Sequence, residues 1–149
     1  MVAQEIKDHV ASYFAKKGNC VHFEVGLIPW GRLRADVVAM TMRGHVTIVE
    51  VKSSYQDFVT DHKWRGYTKF AHKFYFAMTE DVYEEVCHLV PADVGVLAVC
   101  SRTFPSGRVR QKVKVVQRTR SNEVPSDSVF NLAIRLAFKT SDRSRYKRR

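Results

Sequence analysis

The residues that staple, puncture or anchor a fold are scarce in this chain. Three cysteines in 149 residues, Cys20, Cys87 and Cys100, are odd in number and contain no Cys-x-x-Cys pair, which argues against a disulfide framework. The six histidines have no zinc-ligand spacing to a cysteine, so a structural zinc site is not expected. Four prolines and seven glycines leave no linker or low-complexity block. No apolar run approaches the roughly 20 residues that cross a bilayer, and Met1-Val2-Ala3-Gln4-Glu5 has no apolar signal segment. The expectation is a reduced, intracellular, cytoplasmic protein with no membrane partner.

Acidic side chains are also in short supply, 15 Asp and Glu against 25 Lys and Arg, for a net charge of +10 and a pI near 9.8. Such an excess calls for an anionic partner, of which nucleic acid is the commonest for a basic domain. Half of it is terminal, since residues 139–149 hold six Lys/Arg against Asp142 alone. The last nine residues, 141–149, lack an apolar face and are expected to be a disordered basic tail, with residues 1–140 forming one domain. At 45% hydrophobic content the domain can bury a core.

Residues 34–54 read RADVVAMTMRGHVTIVEVKSS. Thr47 to Lys52 is β-branched at most positions, and alternation puts Glu50 and Lys52 on the face of Ile48. Ala35 to Thr41 is also strand-like, and Met42-Arg43-Gly44 suits a three-residue hairpin loop with Gly44 left-handed. That loop pairs Thr41 with His45 and, counting outward, Asp36 with Glu50, Cβ atoms about 4.5–5.5 Å apart. A two-residue loop at Arg43-Gly44 would instead set Asp36 against Val51 and dissolve the cluster. Charged residues on a sheet face are ordinarily solvated or cross-paired. Here the strands around them are continuously apolar, where an unpaired charge is costly. Two carboxylates this close suit a hard divalent cation such as Mg²⁺, with Mn²⁺ able to substitute, and Lys52 would complete a phosphate-facing cluster.

An acid on one strand followed by Glu-x-Lys on the next resembles the PD-(D/E)XK nuclease superfamily, with Asp36, Glu50 and Lys52 at the matching positions and Ala35 where the motif has its nominal proline. The stretch from Glu50-Val51-Lys52-Ser53-Ser54 through Asp57-Phe58, Asp61-His62-Lys63-Trp64 and Tyr67 to Phe74-Tyr75-Phe76-Ala77 is more narrowly similar to MmcB-type DNA-repair proteins. The resemblance implies a restriction-endonuclease-like α/β core and a metal-dependent DNA endonuclease of repair or recombination. It also implies a cation held by Asp36, Glu50 and the backbone carbonyl of Val51, with Lys52 orienting water or stabilising the developing charge. In this superfamily a first-helix glutamate can complete the site, which makes Glu5 a possible auxiliary, although a solvated helix start is its ordinary reading. Two other readings stay open: a non-cleaving DNA-binding accessory module, with or without a repair-protein partner, and a Holliday-junction resolvase acting as a homodimer.

Elsewhere the periodicity predicts a helix over residues 2–17, a strand over 20–28 closed by Pro29-Trp30-Gly31, and a crossover helix from Ser53 to about Phe70. Lys63 and Tyr67, at i and i+4 on that helix, could reach a scissile phosphate, or Tyr67 could be core. Asp57 and Asp61 share a helix face by the same spacing, which suits either helix-dipole compensation or a second cation. A strand over 72–78, a short helix over 81–89, strands over 94–100 and 109–116 and a closing helix over 131–138 complete a mixed sheet of five to six strands flanked by helices. Val109 to Val116 alternates apolar and basic residues, as an edge strand does.

Overall fold

Six strands lie in one open mixed sheet in sequence order, β1 to β6. The computed structural model describes residues 1–29, 31 and 33–140; the expected tail, 141–149, and Trp30 of the expected turn lie outside the described residues. After α1 (Ala3–Ala15) come β1 (Cys20–Gly26), β2 (Arg34–Met40) and β3 (Val46–Val51), an antiparallel meander. Two short helices, α2 (Tyr55–Thr60) and α3 (Arg65–Thr68), then carry the chain over to β4 (Lys73–Thr79), parallel to β3. A further crossover through α4 (Glu80–Val86) leads to β5 (Gly95–Thr103), parallel to β4, and β6 (Val109–Gln117) returns antiparallel at the edge. Helix α5 (Ser126–Thr140) closes the described chain.

Both faces of the sheet are covered, which is why its central strands read as apolar runs rather than alternations. On one face Ile6, Val10 and Phe14 of α1, spaced by one helical turn, pack on Val37, Ala39, Val49, Tyr75, Leu97 and Val99. On the other, Val38, Ile48, Phe74, Phe76 and Met78 lie beneath α2, α3, α4 and the Leu132 and Leu136 stripe of α5. Phe76 is the centre of this second layer: the Phe58, Trp64 and Phe74 rings all lie within 5.3 Å of it, centroid to centroid.

The expected single crossover helix is two. The chain leaves α2 at Asp61, whose backbone is extended at φ −80° and ψ 116°. Two local bonds hold the break: the Lys63 N–H donates to Asp61 Oδ1 at 2.7 Å, and Asp61 Oδ2 meets Lys52 Nζ at 2.6 Å. Lys63 is therefore exposed in the connection, not one turn from Tyr67 on a common helix. β6 lies at the edge of the sheet as its alternation predicts, and of its apolar positions only Val113 is buried, while Val109 and Val115 are exposed. None of the described helices is long and apolar enough to cross a membrane.

With α2 and α3 held mainly through aromatic rings over Phe76, truncating it should be expensive. Phe76→Ala should lower unfolding free energy by about 3–5 kcal/mol in urea titration, with α2 and α3 losing amide-exchange protection first.

Candidate active site

The β2–β3 register decides whether a site exists. The ladder pairs Val37 with Val49, Val38 with Ile48, Ala39 with Thr47 and Met40 with Val46. The loop is the three-residue one: the Thr41 N–H donates to the His45 carbonyl at 3.0 Å and the Gly44 N–H to the Thr41 carbonyl at 2.9 Å. Gly44 is left-handed at φ +78°, a conformation a β-carbon would strain. One step beyond Val37 and Val49, Asp36 meets Glu50.

There the carboxylates themselves join the strands. The Asp36 N–H donates to Glu50 Oε1 at 2.9 Å, and the Val51 N–H donates to Asp36 Oδ2 at 2.8 Å. Each acid thus takes the place of a backbone acceptor, and among the described residues its second oxygen has no hydrogen-bond donor. Glu50 is only 6% exposed. Burial first, and then the Asp36 charge, push its pKa up from 4.5 to about 8. Asp36 is also raised, by burial above all, with the Val51 N–H and the Lys7 charge working the other way.

Lys52 follows Glu50 on the same side, anchored by its own N–H to the Ala77 carbonyl at 2.9 Å. Its ammonium is buried against Asp61 Oδ2. Burial alone would raise the Asp61 pKa, but the Lys52 hydrogen bond and the Lys63 backbone N–H together leave it lowered. Tyr67, buried and stacked over Phe74, donates its hydroxyl to the Arg34 carbonyl at 3.1 Å, which fixes the start of β2. Burial and the nearby Glu50 and Asp36 charges hold that hydroxyl protonated, well above the usual phenol range.

Of the possible auxiliary residues, Lys63 is exposed and Glu5 caps α1, its carboxylate accepting the Val2 N–H at 2.9 Å. The residue that α1 does direct toward the acids is Lys7, paired with Glu24 and within electrostatic reach of Asp36 and Glu50. Glu24 falls opposite Asp36, since its neighbours Phe23 and Val25 pair with Val37 and Ala35. It is the one non-glycine described residue with positive φ, +53°. That sparsely populated conformation accompanies ion pairs with both Lys7 and Arg34 Nε, the latter at 3.0 Å.

A hard cation fits this donor set. Two adjacent carboxylates, Glu50 buried and Asp36 half-buried, whose protons are held above their ordinary range lack positive charge, and each keeps an oxygen for it; Val51 sits between Glu50 and Lys52 as a source of a backbone carbonyl. Among the described residues no cluster of three or more His, Cys, Asp or Glu side chains could hold a metal, so any ion here would draw on two side chains, backbone and water.

Two measurements follow from these charges. A carboxyl whose folded pKa exceeds its unfolded value leaves the unfolded state with fewer protons between those values, so stability falls as pH rises through the window. In EDTA, Glu50→Gln should therefore gain stability relative to the unaltered protein as pH goes from about 4.5 to 8, read from paired thermal melts. Asp61→Ala strands a buried ammonium and should cost about 3–5 kcal/mol in urea titration, most of it recovered in Lys52→Met/Asp61→Leu.

Comparison with known proteins bears on the fold and the family. Residues 2–122 match the model of the family described as DNA repair protein MmcB-like. Among solved structures, the SPO1766 protein of unknown function from Silicibacter pomeroyi is similar over 97% of this chain and 89% of that one, with a TM-score of 0.79 and 22% identity. Likeness at that identity shows the shared fold alone. No curated protein matches. Because the family match runs through all six strands of a restriction-endonuclease-like sheet, the chain belongs to the MmcB-like family of DNA-repair proteins, which have the PD-(D/E)XK nuclease fold.

Proposed function

We propose that the protein is a metal-dependent deoxyribonuclease that hydrolyses phosphodiester bonds in DNA repair or recombination. The observation that carries this reading is the pair of adjacent carboxylates, the half-buried Asp36 and the buried Glu50, beside the buried Lys52. Asp36, Glu50 and the Val51 carbonyl would hold Mg²⁺, which when bound lowers the pKa of water and neutralises charge on the phosphate oxygens. The protein's own contribution is placement. The crossed bonds to the backbone fix both carboxylates without using up their second oxygens, so little reorganisation is needed to bind a cation. The Lys52 ammonium, once turned from Asp61 toward a phosphate, would stabilise the negative charge that develops there. Asp61 supplies the polar contact that holds this lysine in a buried position until then. Lys7 offsets the acids from the α1 side.

One observation favours a second reading. The Lys52–Asp61 contact at 2.6 Å ties up the lysine, and a protein that kept it so would bind DNA without cutting, as an accessory module of a repair system.

Purified protein incubated with labelled linear, single-stranded and four-way-junction DNA in Mg²⁺, Mn²⁺ or EDTA separates the two. Cutting should require the divalent ion, be absent from Asp36→Ala and Glu50→Ala, and fall about 100- to 1,000-fold in Lys52→Ala. Unchanged cutting by Lys52→Ala would remove the lysine from the mechanism. Retained binding that EDTA does not alter, with no cleavage in any metal, would establish the accessory module instead.

A further inference from the structure

The excess positive charge of the chain has a definite place in the fold. Between Ser101 and Asn122 lie seven of the 25 Lys/Arg and no Asp or Glu, and together with residues 139–149 this segment carries +12, more than the whole net charge of +10. β5 stays paired with β4 only as far as Val99, opposite Thr79, but with β6 out to Thr103, opposite Val109. Residues 100–103 and 109–112 therefore leave the sheet as a two-stranded ribbon. The strand is buried from Gly95 through Cys100 and exposed from Ser101 on, and Val109 through Lys112 are all exposed. At the tip the Phe104 N–H donates to the Arg108 carbonyl at 2.8 Å and Gly107 turns left-handed at φ +83°.

Beyond Cys100 the ribbon is exposed at every position of both strands, so its packing there adds little to the stability of the fold. Its charges are also set against one another: Arg102 pairs directly with Arg110, and Lys112 follows on the same side opposite Cys100. Like charges in direct cross-strand register repel, and among the described residues none of Arg102, Arg110 or Lys112 enters an ion pair. The Arg102 guanidinium lies over the Phe104 ring at 5.1 Å, which holds it extended along the ribbon. Repulsion that the folded chain leaves standing is relieved by a polyanion.

The ribbon also stands at the right edge of the sheet. Glu50 is level with Phe76, and Phe76 with Val96. Strands β3, β4 and β5 run the same way, so Lys52 and the ribbon emerge from the same end. Arg102, on the side of Val96 by alternation, lies six strand residues or roughly 20 Å further along. One turn of duplex spans about 34 Å, enough to present one phosphate to Asp36 and Glu50 and others to the ribbon.

We propose that residues 100–112 form an arm that binds the phosphate backbone of duplex DNA beside the carboxylate site. The inference rests on the DNA reading but not on cleavage, and it is tested by binding in EDTA. The full chain and its Arg102→Gln/Arg110→Gln/Lys112→Gln variant would be titrated with a labelled blunt duplex over a range of salt concentrations. The variant should bind more weakly, with the slope of log K against log salt shallower by about 2 to 3. Arg43→Gln, in the β2–β3 loop at the opposite end of β3, should change the slope less than Arg110→Gln. Removing opposed cations should leave the melting temperature unchanged or raised; were the triple variant to melt lower, Arg110→Gln alone should still flatten the slope by about 1. Wild-type affinity and slope in a folded variant, or a loss in Arg43→Gln equal to that in Arg110→Gln, would overturn the arm. Because no metal is present, either result stands whether or not the protein cuts DNA.

Discussion

Two backbone N–H groups, those of Asp36 and Val51, find carboxylates where a sheet ordinarily offers carbonyls. This exchange keeps β2 and β3 together at their open end and fixes two acids side by side, Asp36 half-buried and Glu50 buried. Its electrostatic consequence is a carboxyl at Glu50 that holds its proton to about 8, and a demand for cations that the surroundings meet in part. Lys52 lies on one side, with Asp61 as its own counter-ion; Lys7 lies on the other, shared with Glu24, which also takes Arg34. Charges alternate in sign outward from the acids, as expected where each buried charge must be compensated by the next.

The same demand shapes the backbone. Asp61 reaches Lys52 only because α2 stops there, so the crossover is assembled from helices too short to be stable alone and held down by rings over Phe76. On the other flank Glu24 keeps a left-handed conformation beside the acids. Breaks in local regularity thus gather around Asp36 and Glu50, where compensating charge overrides local preference.

Much of this was legible in the chain. The β3 run and the Met42-Arg43-Gly44 loop specify the hairpin register by local chemistry, and that register sets Asp36 opposite Glu50. The parallel β3–β4 pair follows from the helical crossover between the two strands, whereas the order of all six does not. The break at Asp61 was not legible, because Asp57 with Asp61 and Lys63 with Tyr67 both fit a continuous helix. What overrides that pattern is an ion pair across nine residues. Glu5 had the better claim by position in the first helix, yet its carboxylate is used at the helix start, and Lys7 faces the acids instead. Nor could Glu24 be placed opposite Asp36, since Pro29-Trp30-Gly31 marks a turn between the strands without counting out their register.

By itself the sequence determined what short-range geometry controls: which segments are strands or helices, which faces are apolar, and that one tight loop sets two acids and a lysine together. Tertiary structure alone decided which charge answers which, where the crossover bends, and that the basic strand leaves the sheet as an exposed ribbon. The physical reason is range. A three-residue loop transmits register through covalent geometry, whereas ion pairing and desolvation depend on distances that exist only once remote segments have packed.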